Sequence, residues 1–463
     1  QGSDSVAIAT DLVELLDEMR TSGVAPVLSA YGISSLLHHG LVKLPHTEYE
    51  DVYLLAMGDV ADISADNGRV RIEWSVAYPW INSQSAEDRE PSTRMLLDLT
   101  VAATERKLIA AGNSGFLMLS SGKDSTAIAL ALAEGGFRDV AAVTFSQGDD
   151  DPEAPIAART CARLGLKHRV VKLPSDPAVV ADTLIAFYES TPRPGVDLSQ
   201  IPYVLAAAMI DYRTGAVFDG GGNDSYMALL PGRRDVIKQR FRLRGRGPIR
   251  LASRLTRVDS PVNYLARSRA MVVLSGRTLR LHESREIYPE AVDTGVEWRT
   301  ESARTNSLDL IDLYGAVKER HGDPAGSMLK QRLAAQSVGM TAALPFCDHG
   351  IADYYFNLPE QYRFDRKSLV NKKLLRSLLL EFLDYDADAI GKQYFMFDGA
   401  AFVVNHMDFV RSEIDACTLW DKAGLTLVHD WLDGIGSRPL LHHSILTIFM
   451  ISGWHNHSRF LSR

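Results

Sequence analysis

Leu119-Ser120-Ser121-Gly122-Lys123-Asp124-Ser125-Thr126 is the stretch on which the reading of this chain turns. An apolar run, Phe116-Leu117-Met118-Leu119, leads into it, and an apolar helix, Thr126 to Ala133, follows. Small residues between a strand and a helix let the backbone approach an anion closely. The helix N-terminus then aims N–H groups and a partial positive charge at that anion. The Ser and Thr hydroxyls add donors. A carboxylate inside such a loop, Asp124, makes most sense as the holder of a cation, most simply Mg²⁺ bridging to phosphate oxygens. The stretch has neither the GxxxxGK[ST] of a Walker loop nor the GxGxxG of a dinucleotide fold. Without a ligand it reduces to a helix capped by Ser and Asp.

Working outward, strand–loop–helix units repeat. A helix is expected over 94–110, a buried strand over Val140 to Phe145 and a helix over Pro155 to Leu164. Strands follow at Arg169 to Leu173 and at Ala216-Val217-Phe218. This alternation predicts an α/β fold, a doubly wound parallel sheet. Beyond about residue 300 apolar periodicity predicts a mainly helical part. Upstream, residues 4–45 read as helix then loop. Val52 to Leu55, Val60 to Ile63 and Val70 to Trp74 read as short strands, with Asp66-Asn67-Gly68 as a hairpin signal. The polar stretch Asn82 to Thr93 reads as a linker, so the main boundary is placed near residue 90.

A second glycine turn closes the strand at 216–218: Phe218-Asp219-Gly220-Gly221-Gly222-Asn223-Asp224. Glycines after a strand permit positive φ and close ligand approach. Asp224 can supply a second carboxylate for the same metal. Further on come Leu344-Pro345-Phe346-Cys347-Asp348-His349, then Asn371-Lys372-Lys373-Leu374-Leu375-Arg376, with Lys392 twenty positions beyond Lys372. Asp348 reads as a helix cap rather than a catalytic group.

The octapeptide resembles the pyrophosphate loop SGGxDS of PP-loop ATP pyrophosphatases, with Ser121 at one glycine position. Taken in order, these segments resemble the synthetase domain of the asparagine synthetase family. That family includes asparagine synthetase B, β-lactam synthetase, carbapenam synthetase and the lasso-peptide cyclases. The ordered resemblance spans about 95–400, and residues 28–76 resemble the segment that closes the family's N-terminal domain. It implies an adenine nucleotide α-hydrolase-like fold with a helical C-terminal part and a reduced N-terminal α+β piece. Residues 1–90 would be a remnant of a glutaminase-like domain and 91–463 the synthetase domain.

The resemblance implies ATP and Mg²⁺ as cofactors. A carboxylate would be adenylated with release of PPi, and an amine or ammonia would displace AMP. Leu119 to Thr126 and Gly220, Gly221 and Gly222 would hold the nucleotide phosphates, with Val143, Thr144 and Phe145 toward the adenine. Asp124 and Asp224 would hold the metal. Lys372 would meet the phosphates, and Lys392 the α-phosphate or the oxyanion of the tetrahedral intermediate.

Three departures matter. No Cys precedes Cys161, so the catalytic Cys of the glutaminase half is missing; that half is expected to be reduced, removed or encoded elsewhere. Gly221 stands where family members carry an acid/base side chain. Thr341-Ala342-Ala343 replaces a Glu-x-Arg. The lead expectation is therefore an amide- or lactam-forming synthetase acting on a small-molecule, peptide or saccharide carboxylate in natural-product, peptide or saccharide biosynthesis. Asparagine synthesis from free ammonia, lasso-peptide macrocyclisation, PP-loop sulfur transfer and a non-catalytic nucleotide-binding scaffold remain open beside it.

The chain has 463 residues, 46% hydrophobic, with a formal net charge of −8. That length suggests two to three domains, and the apolar fraction excludes global disorder. No run of 18 apolar residues occurs, which argues against a spanning helix. The acidity argues against a dedicated nucleic-acid binder. Three scattered cysteines, Cys161, Cys347 and Cys417, form no CxxC and fit a reducing, cytoplasmic setting. Residues 233–257 hold ten Lys or Arg and one acid, Asp235. They read either as a solvated basic surface or as a site for an anionic acceptor. A homo-oligomer and a separate partner subunit both remain open.

Overall fold

The computed structural model describes residues 6–66, 69–76, 90–146, 151–211, 213–233, 236–237, 267–274, 279–391 and 397–461. Its centre is a five-stranded sheet: β3 (Gly115–Met118), β4 (Ala141–Ser146), β5 (His168–Lys172), β6 (Ala216–Phe218) and β7 (Thr341–Ala343). The spatial order is β5-β4-β3-β6-β7, and every neighbouring pair is parallel. The first strand of the sheet is thus central and the chain winds outward twice from it. The strand order reverses between β3 and β6, and ligands of open parallel sheets bind at that switch point, beyond the strand C-termini. Two smaller strands, β1 (Asp59–Asp66) and β2 (Arg69–Val76), pair antiparallel with Asp66 opposite Arg69.

The strands read as buried runs because both sheet faces are covered. Leu117, Ala142, Ala216 and Phe218 pack on one face against α3 (Thr93–Ala110) and α4 (Lys123–Glu134). Phe116, Met118, Val143 and Val217 pack on the other against Ile210, Ala335 and Met340. Ser92 caps α3, accepting from Met95 N at 3.1 Å. Helices α1 (Leu12–Thr21) and α2 (Ala30–His39) share one core with α5 (Pro177–Ser190), α6 (Gln200–Ala208) and the C-terminal helix α7 (His442–His457). The part beyond residue 300 is mainly helical.

One expectation needs correction, and one strand was not foreseen. Val52 to Leu55 is not a strand: its one ladder contact is an isolated bridge, His46 with Tyr53. With Tyr53 and Leu55 facing solvent, no neighbouring strand supplies a ladder. Conversely, Thr341–Ala343 forms β7, extending β6 on the far side. Three residues are too few to carry a pattern of their own, and it is the pairing with β6 that makes them a strand. Lys392 lies outside the described residues, as does the basic tract 233–257 apart from 233, 236 and 237.

Candidate active site at the sheet switch point

The loop after β3 is held by its own hydroxyls. Ser120 N donates to Ser125 Oγ at 3.2 Å, and Gly122 N donates to Ser120 Oγ at 3.1 Å. Ser121 Oγ donates to Glu153 Oε1 at 3.2 Å, and Tyr385 Oη donates to Ser121 O at 2.6 Å. Leu119 is tied to β4 twice: its N donates to Val143 O, and its carbonyl accepts from Thr144 Oγ1, both at 2.8 Å. Helix α4 starts at Lys123, and its N-cap, Gly122, offers no side chain. The expected Ser/Asp cap is therefore not what starts this helix. Its first turn leaves N–H groups and a partial positive charge at the loop, the arrangement that favours an anion. Thr126 is buried within that turn.

Asp124 leaves the first turn of α4 toward the second glycine turn. There Asn223 Nδ2 donates to its Oδ1 at 2.8 Å. Lys372 Nζ donates to its Oδ2 at 2.8 Å, to Asn223 Oδ1 at 2.7 Å, and pairs with Asp224 Oδ1 at 2.6 Å. One ammonium thus lies between the two carboxylates predicted from sequence. The Lys372 side chain is only 3% exposed. It stands at φ +55°, in the left-handed region, immediately before the helix Lys373–Leu383. A non-glycine residue held there carries on the order of 1 kcal/mol of strain or more, a cost usually met at functional positions. Here the strain turns the side chain inward. Asn371 Nδ2 anchors the same bend by donating to Ala228 O at 3.1 Å.

Burial alone would raise the Asp124 carboxyl, but Lys372 and Lys123 outweigh it and hold it below the ordinary carboxylate range. Burial likewise works against the Lys372 ammonium, yet Asp124 and Asp224 hold it above the ordinary lysine value. The three charges sum to −1, and all remaining donors are hard oxygens. That set fits a divalent cation that arrives with phosphate oxygens, because Mg²⁺ typically takes one or two carboxylates plus substrate phosphates. Among the described residues no group of three or more His, Cys, Asp or Glu forms a metal cage of protein groups alone.

The glycine turn is closely packed. A Cβ at Gly220 would lie 2.6 Å from Ser125 N, so this turn and the phosphate loop touch backbone to backbone. Gly222 has φ +92°, and a Cβ there would stand 2.3 Å from Cys347 Sγ. Gly221 faces Gln331, whose Nε2 would be 2.7 Å from a Cβ at that position. Gln331 also donates to Asp219 Oδ1.

Val143 and Thr144 are buried in β4, and Phe145 meets Tyr203 edge-on at 6.2 Å. Behind Asp224 lies a nine-residue π-helix, Tyr314–Gly322. It buries Glu319, whose carboxyl group stands against Asp323. Burial and then Asp323 push the Glu319 carboxyl well up. Burial and then Asp224 push Asp323 to about 6.

The structure thus brings the loop 119–126, Gly220 to Gly222, Asp124, Asp224 and Lys372 together at one point. Sequence reasoning missed Asn223, Tyr385, Gln331, Tyr203 and Asp219. Asn223 and Asp219 were inside a quoted motif; the other three arrive from distant segments with no local signal. Asp348 does cap a helix, accepting from Gly350 N at 2.9 Å and pairing with Arg106 at 2.7 Å.

No curated protein matches the chain. Residues 95–396 match the family model for asparagine synthase, which covers β3 to β7 and every described residue of the site above. That family's members are ATP-dependent carbon–nitrogen ligases, which join a carboxylate to an amine or ammonia. With more than half of its length inside that match, and with the match spanning both carboxylates and the buried lysine, the chain belongs to the asparagine synthase family.

Proposed function

We propose that this chain adenylates a carboxylate with ATP, releasing PPi, and passes the acyl group to an amine or ammonia, forming an amide or lactam. The observation that carries the reading is Lys372 Nζ seated between Asp124 and Asp224 at the sheet switch point. Adenylation must bring a carboxylate anion to a polyphosphate, so positive charge has to be in place beforehand. Lys372 is that charge, fixed by burial. The start of α4 and the N–H groups of Ser121 to Ser125 cradle the pyrophosphate. Mg²⁺, when bound by Asp124 and Asp224, supplies neutralisation of the β- and γ-phosphates. Lys392 keeps its proposed place near the α-phosphate by its match to the family's late lysine. Val143, Thr144 and Phe145 line the adenine side.

In this reading residues 91–463 form the synthetase domain and residues 1–90 a separate N-terminal piece. The acceptor belongs to a natural product, peptide or saccharide rather than to free aspartate. Gly221 supports this, because Gln331 fills the space that an acid/base side chain at 221 would need. The free thiols of Cys161, Cys347 and Cys417 support a reducing, cytoplasmic setting. Among the described residues no helix is long and apolar enough to cross a membrane.

ATP–PPi exchange tests the reading. Exchange that appears only when one class of carboxylate is added is the expected result and names the acceptor. Nucleotide binding without exchange against aspartate, acidic sugars and acidic peptides would favour a non-catalytic scaffold.

A further inference from the structure

Asp219 closes β6, two residues before the position where the family's acid/base side chain is replaced by glycine. The residue is 8% exposed. Three donors fix it: Gly221 N at 2.8 Å and Gln331 Nε2 on Oδ1, and Tyr203 Oη at 3.2 Å on Oδ2. Among the described residues no cation contacts it directly; Lys330 is the positive group it feels, and that ammonium donates to Ser199 Oγ at 2.8 Å and lies 4.8 Å above the Tyr203 ring. Gln331 is itself buried, and its Oε1 has no partner. The Gln331 amide is therefore oriented through its Nε2, which donates to Asp219 beside Tyr203. Tyr203 also meets Phe145, so the carboxylate stands on the sheet face where the adenylate is placed, beyond the strand end where ligands bind.

The three donors fix the orientation of this carboxylate and favour its charged form, while burial without a direct ion pair works the other way and favours its taking up a proton. We propose that Asp219 is the proton acceptor for the nitrogen nucleophile in the amide-forming step, with Tyr203 and Gln331 as its positioning residues. This rests on the synthetase reading above. In the step the nitrogen lone pair forms the C–N bond to the acyl carbon. A proton passes from that nitrogen to an Asp219 carboxylate oxygen. The bond from the acyl carbon to the phosphate oxygen then breaks, and AMP leaves with the electron pair. Burial raises the Asp219 carboxyl above the ordinary range, and the Gly221 N–H and Lys330 only partly oppose it. A stronger base is the better proton acceptor at neutral pH.

The experiment compares wild type, Asp219→Asn and Tyr203→Phe in two assays with aspartate, glucuronate and a glutamate-containing pentapeptide as carboxylate probes. ATP–PPi exchange reads adenylation. Product formation reads acyl transfer to ammonium and, separately, to hydroxylamine, which is largely neutral at pH 7 and needs less help in losing its proton. Asparagine preserves the shape and the bonds to Gly221 and Gln331. We expect Asp219→Asn to keep exchange within a few-fold and to lose about 100-fold or more in transfer to ammonium, with hydroxylamine recovering most of the rate. Tyr203→Phe should show the same selectivity to a smaller degree. Equal transfer to ammonium by wild type and both variants would overturn the proposal alone. Loss of exchange in Asp219→Asn would overturn it too, because it would make Asp219 a nucleotide-binding residue. Absence of exchange in the wild type with every probe would remove the synthetase reading and the proposal with it.

Discussion

Between β3 and α4 the chain turns through Ser120-Ser121-Gly122; between β6 and Asp224 it turns through Gly220-Gly221-Gly222-Asn223. Both turns leave a central strand, stand side by side at the switch point and deliver one carboxylate to Lys372. Their interiors differ. The first is laced by hydroxyls, Ser120 to Ser125 and Ser121 to Glu153, and its helix start is left open to an anion. The second is filled by protein: Cys347 against Gly222, and Gln331 against Gly221. The first turn keeps the means to handle phosphate. The second has no side chain at Gly221 and carries a buried carboxylate, Asp219, at its entrance. On the proposed function the first turn would serve the phosphates and the second the acyl-transfer step, which is where the two turns should respond differently to substitution.

Removing the shared charges is the harshest test of that pairing. Asp124→Ala and Asp224→Ala should each cut ATP–PPi exchange by about 1000-fold, with thermal unfolding showing an intact fold. If only one of the two mattered, the turns would not be partners. Lys372→Met takes away the cation and leaves two carboxylates facing each other, which should cost about 3–5 kcal/mol. Added Mg²⁺ should then raise the melting temperature of this variant more than that of the wild type; equal responses would break the link between the lysine position and a cation site.

Asp323 sharpens the second turn. Its folded-state value, about 6, is raised above the ordinary 3.8 by burial and then by Asp224. A raised carboxyl favours the folded state while protonated, so its contribution is full below about pH 4 and fades as pH rises through 6. Asp323→Asn should therefore stabilise the nucleotide-free protein at pH 8 by up to about 3 kcal/mol and make little difference at pH 4. Denaturant unfolding at the two pH values checks the sign. Gly221→Ala should cost about 1–3 kcal/mol by overpacking against Gln331, and Gly221→Ala with Gln331→Ala should recover part of it. The smallest effect belongs to the first turn: Ser121→Gly loses the bond to Glu153, about 1 kcal/mol, and leaves exchange within a few-fold.

How much of this was legible depended on distance along the chain. β3, β4, β5 and β6 announced themselves as short apolar runs beside helical periods, and the glycine turn with its carboxylate sat in one heptapeptide. Asp124 and Asp224 could be paired on chemistry, because each follows a small-residue turn after a strand, where a carboxylate can serve a cation held beside phosphate. What joins them could not be read locally. Lys372 lies 248 positions from Asp124, and its inward aim depends on a left-handed backbone that Asn371 ties to Ala228. Gln331 and Tyr203 come from helices whose sequences show only ordinary apolar spacing, so their bonds to Asp219 follow from how the helices pack on the sheet. β7 was missed for the same reason, since three residues become a strand through their neighbour.

The central claim is that one buried ammonium and two carboxylates form a carboxylate-activating centre. Carboxylate-dependent ATP–PPi exchange by the wild-type chain beside Asp124→Asn, Asp224→Asn and Lys372→Met tests it most directly. The account predicts exchange in the wild type and its loss in all three folded variants. Wild-type levels of exchange in any of them would contradict it.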